Sequence, residues 1–329
     1  MPQPLLEVID LDVQYRTRDG AVHALSGVSL RLEPGQVLAV VGESGSGKTT
    51  LASAIPRLLP QQAAVSGAVR FQGTDLLQLP ERDLRPYRGR RIAMVFQDPI
   101  AGLNPVLDIG SQVAEILTSH LPLGRREARE RAIDILASVG LHDPERIARA
   151  YPFQLSGGMC QRVMIAIATA LDPDLLIADE PTSALDVTVQ AQILAQLETL
   201  RERRGTAILL ITHDFGVVAR IADAVAVMYA GRIVEEGPVR DLLRSPLHPY
   251  SRALLDTLPR LDAPREALHQ IPGHPPDLAT PAERCPYLPR CSKALSRCRQ
   301  EPAPGLEQPG GATHRVACYN PVWQDLPTA

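Results

Sequence analysis

The run Val40-Val41-Gly42-Glu43-Ser44-Gly45-Ser46-Gly47-Lys48-Thr49-Thr50 satisfies G-x-x-x-x-G-K-[ST] at every fixed position. Glycines at this spacing let successive backbone N–H groups face one anion, and a helix behind them adds the partial positive charge of its N-terminus. Lys48 is placed to reach the β- and γ-phosphates of a nucleoside triphosphate, and the Thr49 hydroxyl to ligate Mg²⁺. Of 34 basic residues only Lys48 and Lys293 are lysines, so a compact ammonium at this position reads as a requirement of the chemistry. Gln36 to Val41 reads as a buried strand and Thr49 to Leu59 as a helix. That strand–loop–helix context separates a phosphate loop from an ordinary glycine-rich turn.

Other polar groups stand where strands end. Leu175-Leu176-Ile177-Ala178-Asp179-Glu180 is an apolar run closed by two carboxylates. Asp179 can hold Mg²⁺, and Glu180 can polarise an attacking water as general base. Gln97 follows the strand-like Arg91 to Phe96, and His213 follows Ala207 to Thr212, making it a candidate γ-phosphate contact. In an α/β sheet the carboxyl ends of strands are where ligands bind. Ser156-Gly157-Gly158 opens the apolar run Val163 to Leu171 and could make a second anion-binding helix start; seven residues alone fit an ordinary capped helix as well. Tyr15, upstream of the loop, could stack on an adenine ring, though packing explains a bare tyrosine more often.

These residues need a scaffold. Residues 5–37 alternate apolar and polar positions, broken at Asp19-Gly20 and Pro34-Gly35, and predict antiparallel strands. Residues 99–154 predict a helical insertion of about 55 residues, in which Ala128, Ala132, Ile133, Leu136 and Val139 form one apolar stripe. Ser183-Ala184-Leu185-Asp186 predicts a turn before a helix carrying Val189, Ile193, Leu197 and Leu200 on one face. Arg201, Arg203, Arg204 and then Gly205 fit the end of that helix.

At 329 residues the chain is long enough for two domains. A net charge of −3 gives no electrostatic reason to expect a nucleic-acid partner. No apolar run approaches the roughly 18 residues of a membrane span. Glu7, Asp10 and Asp12 spoil a signal-peptide reading, so the expectation is a soluble cytoplasmic chain whose membrane role would come through partners. Sixteen of the 30 prolines lie in residues 238–329, which places an expected boundary near Pro238.

In order and spacing, Tyr15, the loop 42–49, Gln97, the stretch 155–161, Asp179-Glu180, Asp186 and His213 resemble the nucleotide-binding subunits of ABC transporters. Phe96-Gln97-Asp98-Pro99 with Leu103-Asn104-Pro105, Ala178 to Gln190, His248-Pro249-Tyr250-Ser251 and Ile271-Pro272-Gly273 are similar to the peptide importer (Opp/Dpp-type) branch. The resemblance implies an α/β P-loop NTPase fold at 1–237, with an antiparallel β subdomain and the helical insertion at about 99–154. It also implies a small Cys/Pro-rich C-terminal domain at 238–329. ATP and Mg²⁺ are the implied ligands. Two such subunits would close head to tail, with Ser156, Gly157 and Gly158 on the partner's γ-phosphate. Gln97 would sense Mg²⁺ and the water, and Asp186 would couple the two sites. Implied partners are a second ATPase subunit, two transmembrane permeases and an extracytoplasmic solute-binding protein, at the cytoplasmic face of the inner membrane. Intact Glu180 and His213 imply hydrolysis and argue against a non-hydrolysing scaffold. A soluble ABC-type ATPase acting on nucleic acid or ribosomes is the rival, but tandem cassettes or a long coiled coil are missing from the sequence.

Cys285, Cys291, Cys298 and Cys318 cluster in the proline-rich segment. In a cytosolic chain such a cluster points to metal before disulfides. The spacing lacks the C-x2-C pairs of zinc ribbons, and four thiolates with no intervening histidine among the first three suit a four-iron cluster. The resemblance suggests a 4Fe-4S cluster; zinc and metal-free thiols remain the alternatives.

Overall fold

The computed structural model describes residues 3–17, 20–183, 185–258, 270–279, 283–309 and 313–322. Ala184, inside the predicted turn, and residues 259–269, 280–282, 310–312 and 323–329 of the predicted C-terminal domain lie outside the described residues. The strands in chain order are β1 (Leu6–Thr17), β2 (Gly20–Leu32), β3 (Val37–Val41), β4 (Ala63–Phe71), β5 (Thr74–Asp75), β6 (Ile92–Val95), β7 (Leu175–Asp179), β8 (Ala207–Ile211), β9 (Ala224–Tyr229), β10 (Arg232–Pro238) and β11 (Arg315–Val316). The chain divides into two compact units. The first comprises Met1–Leu5, Leu32–Val37 and Asp75–Ile211, and the second Leu6–Arg31, Leu38–Thr74 and Thr212–Ala329.

In the first unit β6, β7 and β8 run parallel and side by side, with Val95 opposite Ala178 and Asp179 opposite Ile211. Every residue of β7 and β8 is buried, which is why both read as unbroken apolar runs rather than alternating ones. The predicted helical insertion is present as helices Ile109–His120, Arg125–Ser138 and Pro144–Arg149. Ala128, Ala132 and Leu136 are buried; Ile133 is half-buried at the margin of the stripe. Helix Val187–Arg204 buries Ile193, Leu194 and Leu197 and stops at Gly205, whose φ of 68° is the left-handed cap its sequence predicted.

In the second unit β1 pairs antiparallel with β4, from Leu6 opposite Phe71 to Tyr15 opposite Ala63, with a bulge between Ile9 and Asp12. This belongs to a sheet of order β2-β1-β4-β5. β3 lies parallel to β9, β9 antiparallel to β10, and β11 antiparallel to β10 with Val316 opposite Glu235. The helix predicted over Thr49–Leu59 is shorter, Lys48–Ala54. Pro56 has no N–H to continue it, and Arg57 turns to a φ of 56°.

The core of the second unit joins strand residues Val41, Val227 and Tyr229 to Tyr250 and Tyr287, and Cys285 and Cys291 pack against it. Pro238 closes β10, and the cysteine-bearing tail shares a core with the strand that leads into the phosphate loop. Among the described residues no helix is long and apolar enough to cross a membrane.

Candidate active site

The fully buried strand β3 delivers the chain into Gly42 to Lys48. Gly42, Gly45 and Gly47 have φ of 157°, 80° and 102°. A Cβ at Gly42 would overlap the Met228 carbonyl oxygen, and one at Gly47 would lie 2.5 Å from the Ala24 carbonyl oxygen. Only glycine fits either place. The loop curls round Lys48, whose ammonium donates to Gly42 O (2.8 Å), Glu43 O (2.9 Å) and Ser46 Oγ (3.3 Å). Lys48 and Ser46 are buried, whereas Ser44, Gly45 and Thr49 are exposed and Thr50 is half-buried. The Tyr15 hydroxyl hydrogen-bonds Thr50 Oγ1 at 3.3 Å, which sets the ring beside the start of the helix. Thr212 N donates to Val40 O at 3.2 Å, so the turn bearing the exposed His213 runs beside the end of β3. The second unit therefore gathers Tyr15, the phosphate loop and His213.

The first unit holds Gln97, Asp179 and Glu180 at the carboxyl ends of β6 and β7, and Ser156–Gly158 and Asp186 at two helix starts. Gln97, exposed, lies two residues past Val95, and Val95 pairs with Ala178, the residue before Asp179. Asp179 is 1% exposed. Glu180 has a φ of 48°, unusual for a residue with a Cβ. Its N–H is given to Ile211 O (2.8 Å), and its carbonyl accepts from Ser183 N (3.2 Å) and Ser183 Oγ (3.1 Å). Backbone strain of this kind is of the order of 1–3 kcal/mol and collects at functional sites.

Ser156 caps helix Gly157–Thr169, its Oγ accepting from Met159 N at 3.3 Å, and Ser156 and Gly157 are exposed. Gly158 packs so near helix Val187–Arg204 that a Cβ would stand 3.3 Å from Val189 Cγ1. Asp186 Oδ1 caps that same helix by accepting from Thr188 N and Val189 N, both at 3.0 Å. The signature-like stretch and Asp186 are therefore neighbours.

Within the second unit the donor chemistry fits a triphosphate: a buried lysine sits inside a loop in which Gly42 and Gly47 admit no Cβ, and Thr49 is exposed. Within the first unit a buried carboxylate, Asp179, ends a parallel strand.

The four tail cysteines come together around one small cavity of about 20 Å³, which His248 and Tyr287 also line. Burial raises the pKa of Cys285 and Cys291, and raises Cys318 to about 12. The Asn320 N–H opposes that rise at Cys318, and the other three sulfurs reinforce it. As they stand, no three His, Cys, Asp or Glu side chains among the described residues are set as a metal site. Soft thiol donors are of the chemical class that takes a transition metal.

Three residues at the loop are not legible as site residues: Glu43 occupies a variable position of the loop pattern, Tyr250 stands only in the His248–Ser251 stretch, and Arg290 carries no signal in the sequence. Arg290 forms a bidentate pair with Glu43 (2.7 and 3.0 Å), and the Tyr250 hydroxyl accepts from Glu43 N (2.8 Å). No local spacing signals partners 247 and 207 positions apart. Burial raises the Tyr250 and Tyr229 phenols, and raises Tyr287 to about 12.

Residues 25–183 match the ABC transporter family model, and residues 234–298 match that of the oligopeptide/dipeptide transporter C-terminal region. The chain is 51% identical over 96% of its length to the oligopeptide transport ATP-binding protein OppD of Mycobacterium bovis, of which it spans 52%, about half. It is 46% identical over 98% of its length to OppD of Salmonella typhimurium, of which it spans 96%. A dimeric ATP-binding cassette in a post-hydrolysis state with ADP and Pi superposes with a TM-score of 0.65, at 31% identity, over 71% of this chain and 99% of that one. With the phosphate loop, strand-end carboxylates and capped Ser-Gly-Gly helix in place, this chain belongs to the ABC transporter family of ATP-binding proteins.

Proposed function

We propose that this chain is the ATP-hydrolysing subunit of an importer for peptides or related small solutes. The observation that carries this reading is the phosphate loop closed on a buried Lys48. The names of the relatives, oligopeptide transport ATP-binding proteins, supply the solute class. Two such cassettes would act as a pair, as the dimeric neighbour does, beneath two permeases fed by an extracytoplasmic binding protein. The chain would then work at the cytoplasmic face of the plasma membrane, its cassette at 1–237 and its C-terminal domain at 238–329.

In this reading Tyr15 stacks on the adenine, and the loop N–H groups with Ser44, Ser46, Lys48 and Thr50 hold the phosphates. Thr49, Gln97 and Asp179 hold Mg²⁺, which supplies charge neutralisation on the phosphate oxygens. Glu180 orients a water and takes its proton as the water oxygen bonds to the γ-phosphorus. The bond from that phosphorus to the bridging oxygen breaks, and ADP leaves with the electron pair. His213 contacts the γ-phosphate, and Ser156, Gly157 and Gly158 contact the one held by the partner cassette. ATP favours the closed pair only by binding it more tightly than the open one, and hydrolysis removes that difference. Asp186, beside the signature, passes this between sites.

The test is Glu180→Gln. Turnover should fall at least about a hundredfold while ATP still binds and stabilises a dimer on size exclusion. Undiminished hydrolysis would remove Glu180 as the base.

The finer part concerns Cys285, Cys291, Cys298 and Cys318. We read them as ligands of a 4Fe-4S cluster, with zinc as runner-up. The support is their convergence on one cavity. A bound cluster would supply a redox-sensitive cross-link within the tail.

A further inference from the structure

Glu43 is an acidic residue in a loop that must bind a polyanion, and its carboxylate opposes that task. The tail neutralises it. Arg290, the residue before Cys291, donates from Nη1 to Glu43 Oε2 (2.7 Å) and from Nη2 to Glu43 Oε1 (3.0 Å). The same guanidinium donates to Pro272 O (2.9 Å), Tyr229 OH (3.2 Å) and Ile271 O (3.3 Å). Its Cζ lies 5.8 and 5.9 Å from the ring centres of Tyr229 and Tyr287. With its side chain 3% exposed, Arg290 is committed to this site: leaving it would break the ion pair and all of these hydrogen bonds and leave the Glu43 carboxylate unpaired.

The main chain of Glu43 is held as well. Its N–H donates to the Tyr250 hydroxyl, and its carbonyl accepts from Lys48 Nζ. A chain of direct contacts thus runs from the cysteine-bearing segment through Arg290 and Glu43 to the lysine of the phosphate loop. A bidentate guanidinium–carboxylate pair fixes orientation as well as charge.

We propose that Arg290 is a positioning residue for ATP binding: it cancels the Glu43 charge and fixes the first turn of the phosphate loop, making the C-terminal tail part of the nucleotide site. The proposal rests on reading the loop as ATP-binding. A merely structural ion pair would affect stability; this one sets nucleotide affinity through charge, and the two separate in a charge-rescue experiment.

The experiment measures Mg²⁺–mant-ATP affinity by fluorescence on the purified full chain, beside thermal unfolding, for the wild type and a set of variants. Arg290→Met exposes the carboxylate to the triphosphate and should weaken binding about tenfold, a deficit that shrinks as salt is raised. Glu43→Gln should bind at least as tightly as the wild type. The double variant Glu43→Gln/Arg290→Met should recover most of the loss. Arg290→Lys keeps the charge without the bidentate fit and should fall between wild type and Arg290→Met. If Arg290→Met does not fold, Glu43→Gln and Arg290→Lys still decide. The proposal is overturned by Arg290→Met affinity within twofold of wild type, by a double variant no tighter than Arg290→Met, or by a tenfold loss on Glu43→Gln. Wild-type binding abolished by Lys48→Ala keeps the nucleotide reading separately secured; absence of wild-type binding would overturn that reading instead.

Discussion

At the scale of single residues, the phosphate loop is held by what cannot be added to it. Gly47 combines a φ of 102° with a Cβ position 2.5 Å from the Ala24 carbonyl oxygen and 2.9 Å from Leu25 Cδ2. Gly47→Ala therefore meets both a backbone penalty and a backbone clash. The expected outcome is a loss of about 2 kcal/mol of stability together with loss of nucleotide binding, read by thermal unfolding and mant-ATP titration. Lys48, Gly42 and Gly47 could be identified from spacing because the loop is contiguous and its geometry is local. Glu43 could not be placed in a pair, since its partner is 247 positions away. Asp186 and Ser156, singled out for chemistry, also serve as helix caps with their own backbone N–H partners.

At the scale of elements, caps and burial periods carried most of what could be predicted. Ser156, Asp186 and Gly205 delimit helices where sequence rules put such residues. Helix Pro249–Asp256 adds a pH consequence. His248 caps it, Nδ1 accepting from Tyr250 N at 3.0 Å, and burial lowers the His248 pKa from 6.5 to about 4, with Glu235 opposing. The unfolded chain takes up this proton as pH falls through 6.5, and the folded chain takes it only near pH 4. Stability from the neutral ring is thus present above pH 6.5 and lost progressively toward pH 4, about 2 kcal/mol of it by pH 5. Urea midpoints at pH 7.5 and pH 5 should separate more for wild type than for His248→Gln. Equal separations would show that His248 takes up its proton at the same pH in the folded and unfolded chains.

At the scale of the whole molecule, the tail joins the same compact unit as the phosphate loop. Tyr287 and Tyr250 pack with β3 and β9, β11 pairs with β10, and Arg290 reaches Glu43. Four sulfurs share one cavity. On the cluster reading proposed above, anaerobic purification followed by iron, zinc and sulphide assays gives about four iron atoms with matching sulphide per chain. Zinc without sulphide would replace the cluster with a four-thiolate ion, and neither metal would overturn the site. On the same reading, a chelator that strips the metal lowers the midpoint of thermal unfolding, because the proposed cross-link within the tail is lost.

The sequence by itself determined the phosphate loop, the strand-end Asp179 and Glu180, the helical insertion, and the helix ends at Ser156, Asp186 and Gly205. Each depends on neighbours a few residues away, through hydrogen bonds and periodic burial that composition encodes directly. Only the tertiary structure decided that Arg290 neutralises Glu43, that Tyr250 holds its N–H, and that Cys285, Cys291, Cys298 and Cys318 line one cavity. Those contacts close loops of tens to hundreds of residues. No local preference reports them, because their energy appears only after the β3, β9 and tail aromatic residues have packed into one core.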